Sequence, residues 1–93
     1  MSSQDNKAKS DSAMPEVTFS TFVLSLASSA LVQMGEVPNP ETGAIEKNVL
    51  LARHTIDILN MLQEKITQGL TAQETQLFKD VLYELRMKFV VHS

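Results

Sequence analysis

The sequence contains no cysteine. That excludes disulfide staples, and it excludes thiolate ligation of zinc or of iron–sulfur clusters. It also suits a reducing compartment, so a cytoplasmic location is expected. Basic residues are few: eight Lys and Arg face eleven Asp and Glu, for a net charge of −3. The nearest thing to a basic cluster is Lys79, Arg86 and Lys88, and Asp80 and Glu84 interrupt it. A nucleic-acid partner needs a basic patch or stripe, and none is expected here. Glycine occurs only at Gly35, Gly43 and Gly69, each at a turn or helix end, so there is no phosphate-cradling loop. There is no Gly-x-Ser-x-Gly elbow to activate Ser20, Ser25, Ser28 or Ser29 as a nucleophile.

The oddest deficit is local. From Val17 to Gly35 there is not one charged residue. A membrane span needs about 20 mainly apolar residues. Here Thr18, Ser20, Thr21, Ser25, Ser28, Ser29 and Gln33 interrupt the run. A secretory signal needs a positive leading region, which Asp5, Asp11 and Glu16 spoil.

Ahead of this segment, residues 1–16 read as a disordered tail, because MSSQDNKAKSDSAMP has almost no large apolar side chain to offset the entropy of folding. Residues 17–93 read as a single helical domain. At 100° per residue the first segment places Phe19, Phe22, Val23, Leu26, Ala27, Ala30 and Met34 on one face, with Leu24 and Leu31 widening it. That apolar arc spans roughly 200°, wider than the stripe of an ordinary surface helix. Thr18 or Ser20 can cap its start and Gly35 can supply a left-handed stop. Two prolines, Asn39 and Gly43 then make Glu36 to Gly43 a connection.

Helical spacing resumes over about 45–68, through Ile45, Val49, Ala52, Ile56, Leu59 and Ile66, with Leu51, Ile58 and Leu62 beside them. Leu50, His54 and Met61 form a thinner strip in the polar half. Gly69 with Leu70 reads as a Schellman stop. Thr71-Ala72-Gln73-Glu74 is a capping box that opens a third helix over about 72–91. Its buried face is Leu77, Phe78, Val81, Leu82, Leu85 and Phe89, and Tyr83, Met87 and Val90 recur on its far side. The fold class is therefore all-α, a three-helix antiparallel bundle-like domain behind a disordered N-terminal tail.

Chemistry is hard to find. His54 with Asp57 does not define a metal site, and His92 is expected to be exposed at a frayed end. The pairs Asp57 with Glu64 and Asp80 with Glu84 read as solvated helix faces. No catalytic, cofactor-binding or metal-ligating residue is expected, and no cofactor.

Four blocks in order carry a resemblance. They are Phe19-Ser20-Thr21-Phe22-Val23 with Ser25-Leu26-Ala27 and Ala30-Leu31; Met34-Gly35 with Pro38-Asn39-Pro40-Glu41-Thr42-Gly43; Ala52 with Thr55-Ile56-Asp57-Ile58-Leu59, Leu62 and Glu64-Lys65; and Leu70-Thr71, Glu74 and Leu82-Tyr83-Glu84-Leu85-Arg86. Over Thr18 to Val91 the chain resembles a family of short bacterial proteins catalogued as a domain of unknown function (number eighteen forty-four). One departure stands at the second turn. The family pattern Lys-Thr-x-Gly-Asn-Leu-Thr is replaced by Lys65-Ile66-Thr67-Gln68-Gly69-Leu70-Thr71. The resemblance implies a small helical fold and no assigned activity.

A chain of 93 residues buries a modest core, and without disulfide or zinc–thiolate staples the usual aid is oligomerisation. The expected function is that of a small, non-enzymatic helical interaction protein that self-associates as a homodimer, with a different protein partner also open. The expected interface is Leu24, Ser25, Ser28, Leu31 and Val32. The alternative is a peripheral membrane protein that uses the uncharged helix 18–34.

Overall fold

The computed structural model describes residues 16–93, so the expected tail, except for Glu16, lies outside the described residues. Among them are three helices and no strand: α1 (Phe19–Gln33), α2 (Val49–Lys65) and α3 (Ala72–His92). None is long and apolar enough to cross a membrane.

Each helix starts on a side-chain cap. Thr18 caps α1 by accepting the Thr21 N–H at 3.0 Å, while Thr21 Oγ1 accepts the Thr18 N–H at 3.0 Å. Asn48 Oδ1 accepts the Leu51 N–H at 3.0 Å at the head of α2. The capping box at α3 forms as its sequence requires: Thr71 Oγ1 accepts from the Glu74 N–H at 3.1 Å and Glu74 Oε1 accepts from the Thr71 N–H at 2.9 Å.

The end of α1 is a complete Schellman stop. The Glu36 N–H reaches the Leu31 carbonyl at 3.0 Å and the Gly35 N–H the Val32 carbonyl at 3.1 Å, with Gly35 left-handed at φ 85. The chain then folds a compact loop on Asn39. Its side-chain oxygen accepts the Glu41 N–H at 2.8 Å, and its backbone carbonyl accepts the Gly43 N–H at 2.7 Å.

α2 is shorter than its periodicity suggests. Residues 45–48 belong to the connection, because the Glu46 carboxylate is held by Asn39 Nδ2 at 2.8 Å and Thr42 Oγ1 at 3.0 Å. Ile45, expected on the buried face, is exposed as a result. At the other end the helix stops at Lys65, and Ile66 turns extended (φ −93, ψ 92). The β-branched pair Ile66-Thr67 favours that conformation, and it lets Leu70 fold back against the core. Gly69 (φ 94) therefore does not terminate α2 as a Schellman glycine; it supplies the turn that delivers Thr71 to its cap.

The core is built from Val23, Ala27, Ala30 and Met34 of α1 and its end, from Ala52, Ile56 and Leu59 of α2, and from Phe78, Leu82 and Leu85 of α3. Three alanines at the contacts let the helix backbones approach closely. Phe19 meets Phe78 edge-on, ring centres 5.5 Å apart. The start of α1 thus lies by the first turns of α3. α1 does not bury the arc its composition suggests. Two neighbouring helices cover one stripe, and Phe22 and Leu24 on either side of it stay 47% and 46% exposed.

Gly35→Ala and Gly69→Ala are each expected to lower stability by about 1 kcal/mol or more, since both require a left-handed backbone. Thr71→Ala is expected to cost on the order of 1 kcal/mol through the lost cap. Thermal melts check all three, and an unchanged midpoint at any of them contradicts the corresponding local assignment.

Candidate functional site

The residue types that carry chemistry do not converge. His54 and Asp57 are exposed on the outer side of α2. Glu64, Asp80 and Glu84 are exposed as well, and Asp80 accepts a hydrogen bond from Gln76 Nε2 at 2.8 Å. Among the described residues no group of three or more His, Asp or Glu is placed to hold a metal ion.

One polar cluster does form, and it corrects the reading of His92. α3 continues through His92, which is only 24% exposed and pairs through Nε2 with Glu36 Oε1 at 2.7 Å. Lys88 Nζ donates to the other oxygen, Glu36 Oε2, at 3.3 Å. The Schellman turn sets Glu36 beside the last turns of α3, which half-buries the His92 side chain while Val90 and Val91 beside it stay exposed. The hydrogen bonds from His92 and then Lys88, followed by the Lys88 charge, hold the Glu36 carboxyl below its ordinary value. A second polar junction lies at the other side of the same turn. The Gln33 carbonyl accepts the Asn48 N–H at 2.6 Å, and the buried Thr55 donates its hydroxyl to Gln33 Oε1 at 2.7 Å. Arg86 donates to the Asn60 side chain and ties α3 to α2.

The five expected interface residues all lie on α1, but the structure divides them. Leu31 lines a groove of about 240 Å³ between α1 and α3, together with Ala27, Val81 and Leu85. Leu24, seven residues earlier, continues the same edge of the helix. Ser28 and Val32 line a different groove, of about 650 Å³, between α1, the 36–48 connection and the head of α2, with Gln33, Asn48 and Leu51. Ser25 is exposed on the helix between them. Apolar surface lies elsewhere too. Leu50 is 83% exposed on α2, and Tyr83, Met87 and Val90 are exposed along α3 at spacing i, i+4, i+7. Their spacing marks them in the sequence as strips outside the core. Glu36 carries no such signal, since its partners lie 52 and 56 positions away.

The family model described as "Domain of unknown function (DUF1844)" matches residues 16–91. The chain belongs to this family. No curated protein and no solved structure matches it significantly.

Glu36 gives a pH signature of known sign. A carboxyl with a lowered folded value contributes stability that is fully present above its ordinary value of 4.5 and is lost as pH falls through the folded value. Glu36→Gln is therefore expected to be less stable than the wild type near neutral pH, with the gap closing as pH falls below 4.5. His92→Ala should shrink the same gap, whereas His54→Ala should leave the melts unchanged. A gap independent of pH contradicts the Glu36 assignment.

Proposed function

We propose that this member of the DUF1844 family is a small, non-enzymatic interaction protein that self-associates through the outer face of α1. One observation carries the reading. That face, exposed at Ser25 and Ser28 and half-buried at Thr21 and Val32, has no charge from Val17 to Gly35. A helix side meant for water ordinarily carries charged and polar residues. Here Thr21, Ser25, Ser28 and Val32 recur at i, i+4, i+7 and i+11, flanked by the half-exposed Phe22 and Leu24. Small side chains let a second backbone approach, and an uncharged surface has no complementary charged partner to prefer. A second copy about a two-fold axis presents the matching face, and such dimers are the commonest soluble assembly. Pairing also enlarges a core that is small for independent stability. A cysteine-free chain of this kind suits the cytoplasm.

Non-enzymatic action is supported by the dispersal of His54, Asp57, Glu64, Asp80 and Glu84 over exposed faces. A catalytic acid or base is normally set in a cleft that perturbs it. The runner-up, peripheral membrane binding through α1, draws on the same apolar residues. Interfacial helices gain much of their attraction from Lys and Arg on the polar face. α1 has neither, and the chain's net charge of −3 opposes anionic lipid.

Light scattering on the size-fractionated protein at micromolar concentration, without lipid or detergent, is expected to give twice the chain mass. Ser25→Glu with Ser28→Glu should return it to the monomer with its helicity intact. A folded wild-type monomer under these conditions contradicts self-association, and binding of that monomer to liposomes selects the membrane reading.

A further inference from the structure

Two features of the chain bear on how a second copy would lie against α1. The first is the groove of about 650 Å³ by the end of that helix. Ser28, Ser29 and Val32 line it from α1 and Leu51 from α2, while its charged residues, Glu41, Glu46 and Lys47, all belong to the connection. The Glu46 carboxylate is already held by Asn39 and Thr42. The second feature is Phe22, a ring that is 47% exposed near the start of the same helix. Phe22, Ser29 and Gln33 follow at i, i+7 and i+11, so they share one side of α1. Gln33 bonds to Asn48 and Thr55, which makes that side the one turned toward α2. The exposed ring and the groove therefore lie on the same side of α1, at its opposite ends.

Two orders bring the outer faces of two α1 helices together about a two-fold axis. With the axis along the helices the pair is parallel, and the α2 side of each helix meets the side of its partner turned away from α2. With the axis crossing between the helices, within the contact plane, the pair is antiparallel. The two α2 sides then coincide, and the start of each helix meets the end of the other. Only this second order carries each Phe22 to the other copy's groove. With the axis between Ser25 and Ser28, Ser25 faces Ser28 of the other copy and Phe22 falls beside its Val32.

The area that a dimer needs favours the same order. α1 has 15 residues, so it is about 22 Å long, and a seam about 10 Å wide covers on the order of 200 Å². A stable interface buries about 800 Å² on each partner. The helix pair alone falls well short and needs flanking surface. The antiparallel order supplies such surface at both ends, since an aromatic side chain buries about 150–250 Å².

We propose that the self-association, on which this inference rests, is antiparallel, and that Phe22 of each copy seats in the groove of the other against Val32 and Leu51.

The absence of native cysteine lets Glu41→Cys, on the exposed side of the groove, carry a single nitroxide. Mixed with an isotope-labelled chain that bears no nitroxide, it is expected to broaden the amides of Thr21 and Phe22 severalfold more than those of Val32 and Gln33. Phe22 and Gln33 are about 16 Å apart along α1, so the two patterns are distinct. Stronger broadening at Val32 and Gln33 means a parallel pair, and it overturns the proposal while leaving self-association standing. Phe22→Ala is expected to weaken dimerisation about tenfold or more in light scattering on dilution, as loss of a buried aromatic anchor does. Leu24→Ala removes a side chain of similar exposure, 46%, from the other edge of α1 and should leave dimerisation nearly unchanged. Wild-type affinity in a folded Phe22→Ala, or an equal loss in Leu24→Ala, overturns the seating of Phe22. A folded wild-type monomer at micromolar concentration removes self-association itself, and the proposal with it.

Discussion

The left-handed turn at Gly35 sets where both other helices lie against α1. A residue with a Cβ meets steric resistance at φ 85. With glycine in place, the stop is closed by two backbone hydrogen bonds. The residues on its two sides then face different partners. Gln33, before the turn, holds the head of α2 through its carbonyl and holds Thr55 through its side chain. Glu36, after the turn, holds the end of α3 through His92 and Lys88. Met34, between them, is fully buried. One turn of chain thus places a core side chain and two polar junctions, and the alanine-lined contacts of α1 and α2 pack beneath it.

This arrangement explains why α1 keeps so much uncharged surface. Its buried stripe, Val23, Ala27, Ala30 and Met34, is narrow and rich in alanine. It draws two helices close but covers only the side that faces them. The rest of the helix has neither the apolar bulk for a deeper core nor charges suited to open water. That mismatch between composition and burial motivates the self-association reading. The grooves on either side show that α1 offers two distinct edges rather than one broad face.

Local features were legible in the sequence. The capping box Thr71–Glu74, the stop at Gly35 and the apolar stripe of α3 depend on residues within a few positions of one another, where helix geometry fixes who meets whom. The limits of α2 were not, because Ile45 and Ile66 continue the helical spacing on paper. At the first, the Asn39, Thr42 and Glu46 bonds override periodicity; at the second, the extended Ile66 and the return of Leu70 to the core do. The role of His92 was hidden for a different reason: no spacing rule links it to Glu36 across the whole domain. The expected interface was legible as one surface of an isolated helix. Only the placement of α2 and α3 divides Leu24 and Leu31 from Ser28 and Val32.

The central claim is that the Gly35 turn fastens the three helices together, so its hydrogen bonds should open only when the domain unfolds. Native-state hydrogen exchange reads this directly at the amides of Glu36 and Asn48, which donate to Leu31 and Gln33. The account predicts that both exchange as slowly as the core amides of Leu59 and Leu82. Exchange of Glu36 and Asn48 at near-unprotected rates, with Leu59 and Leu82 still protected, would contradict it.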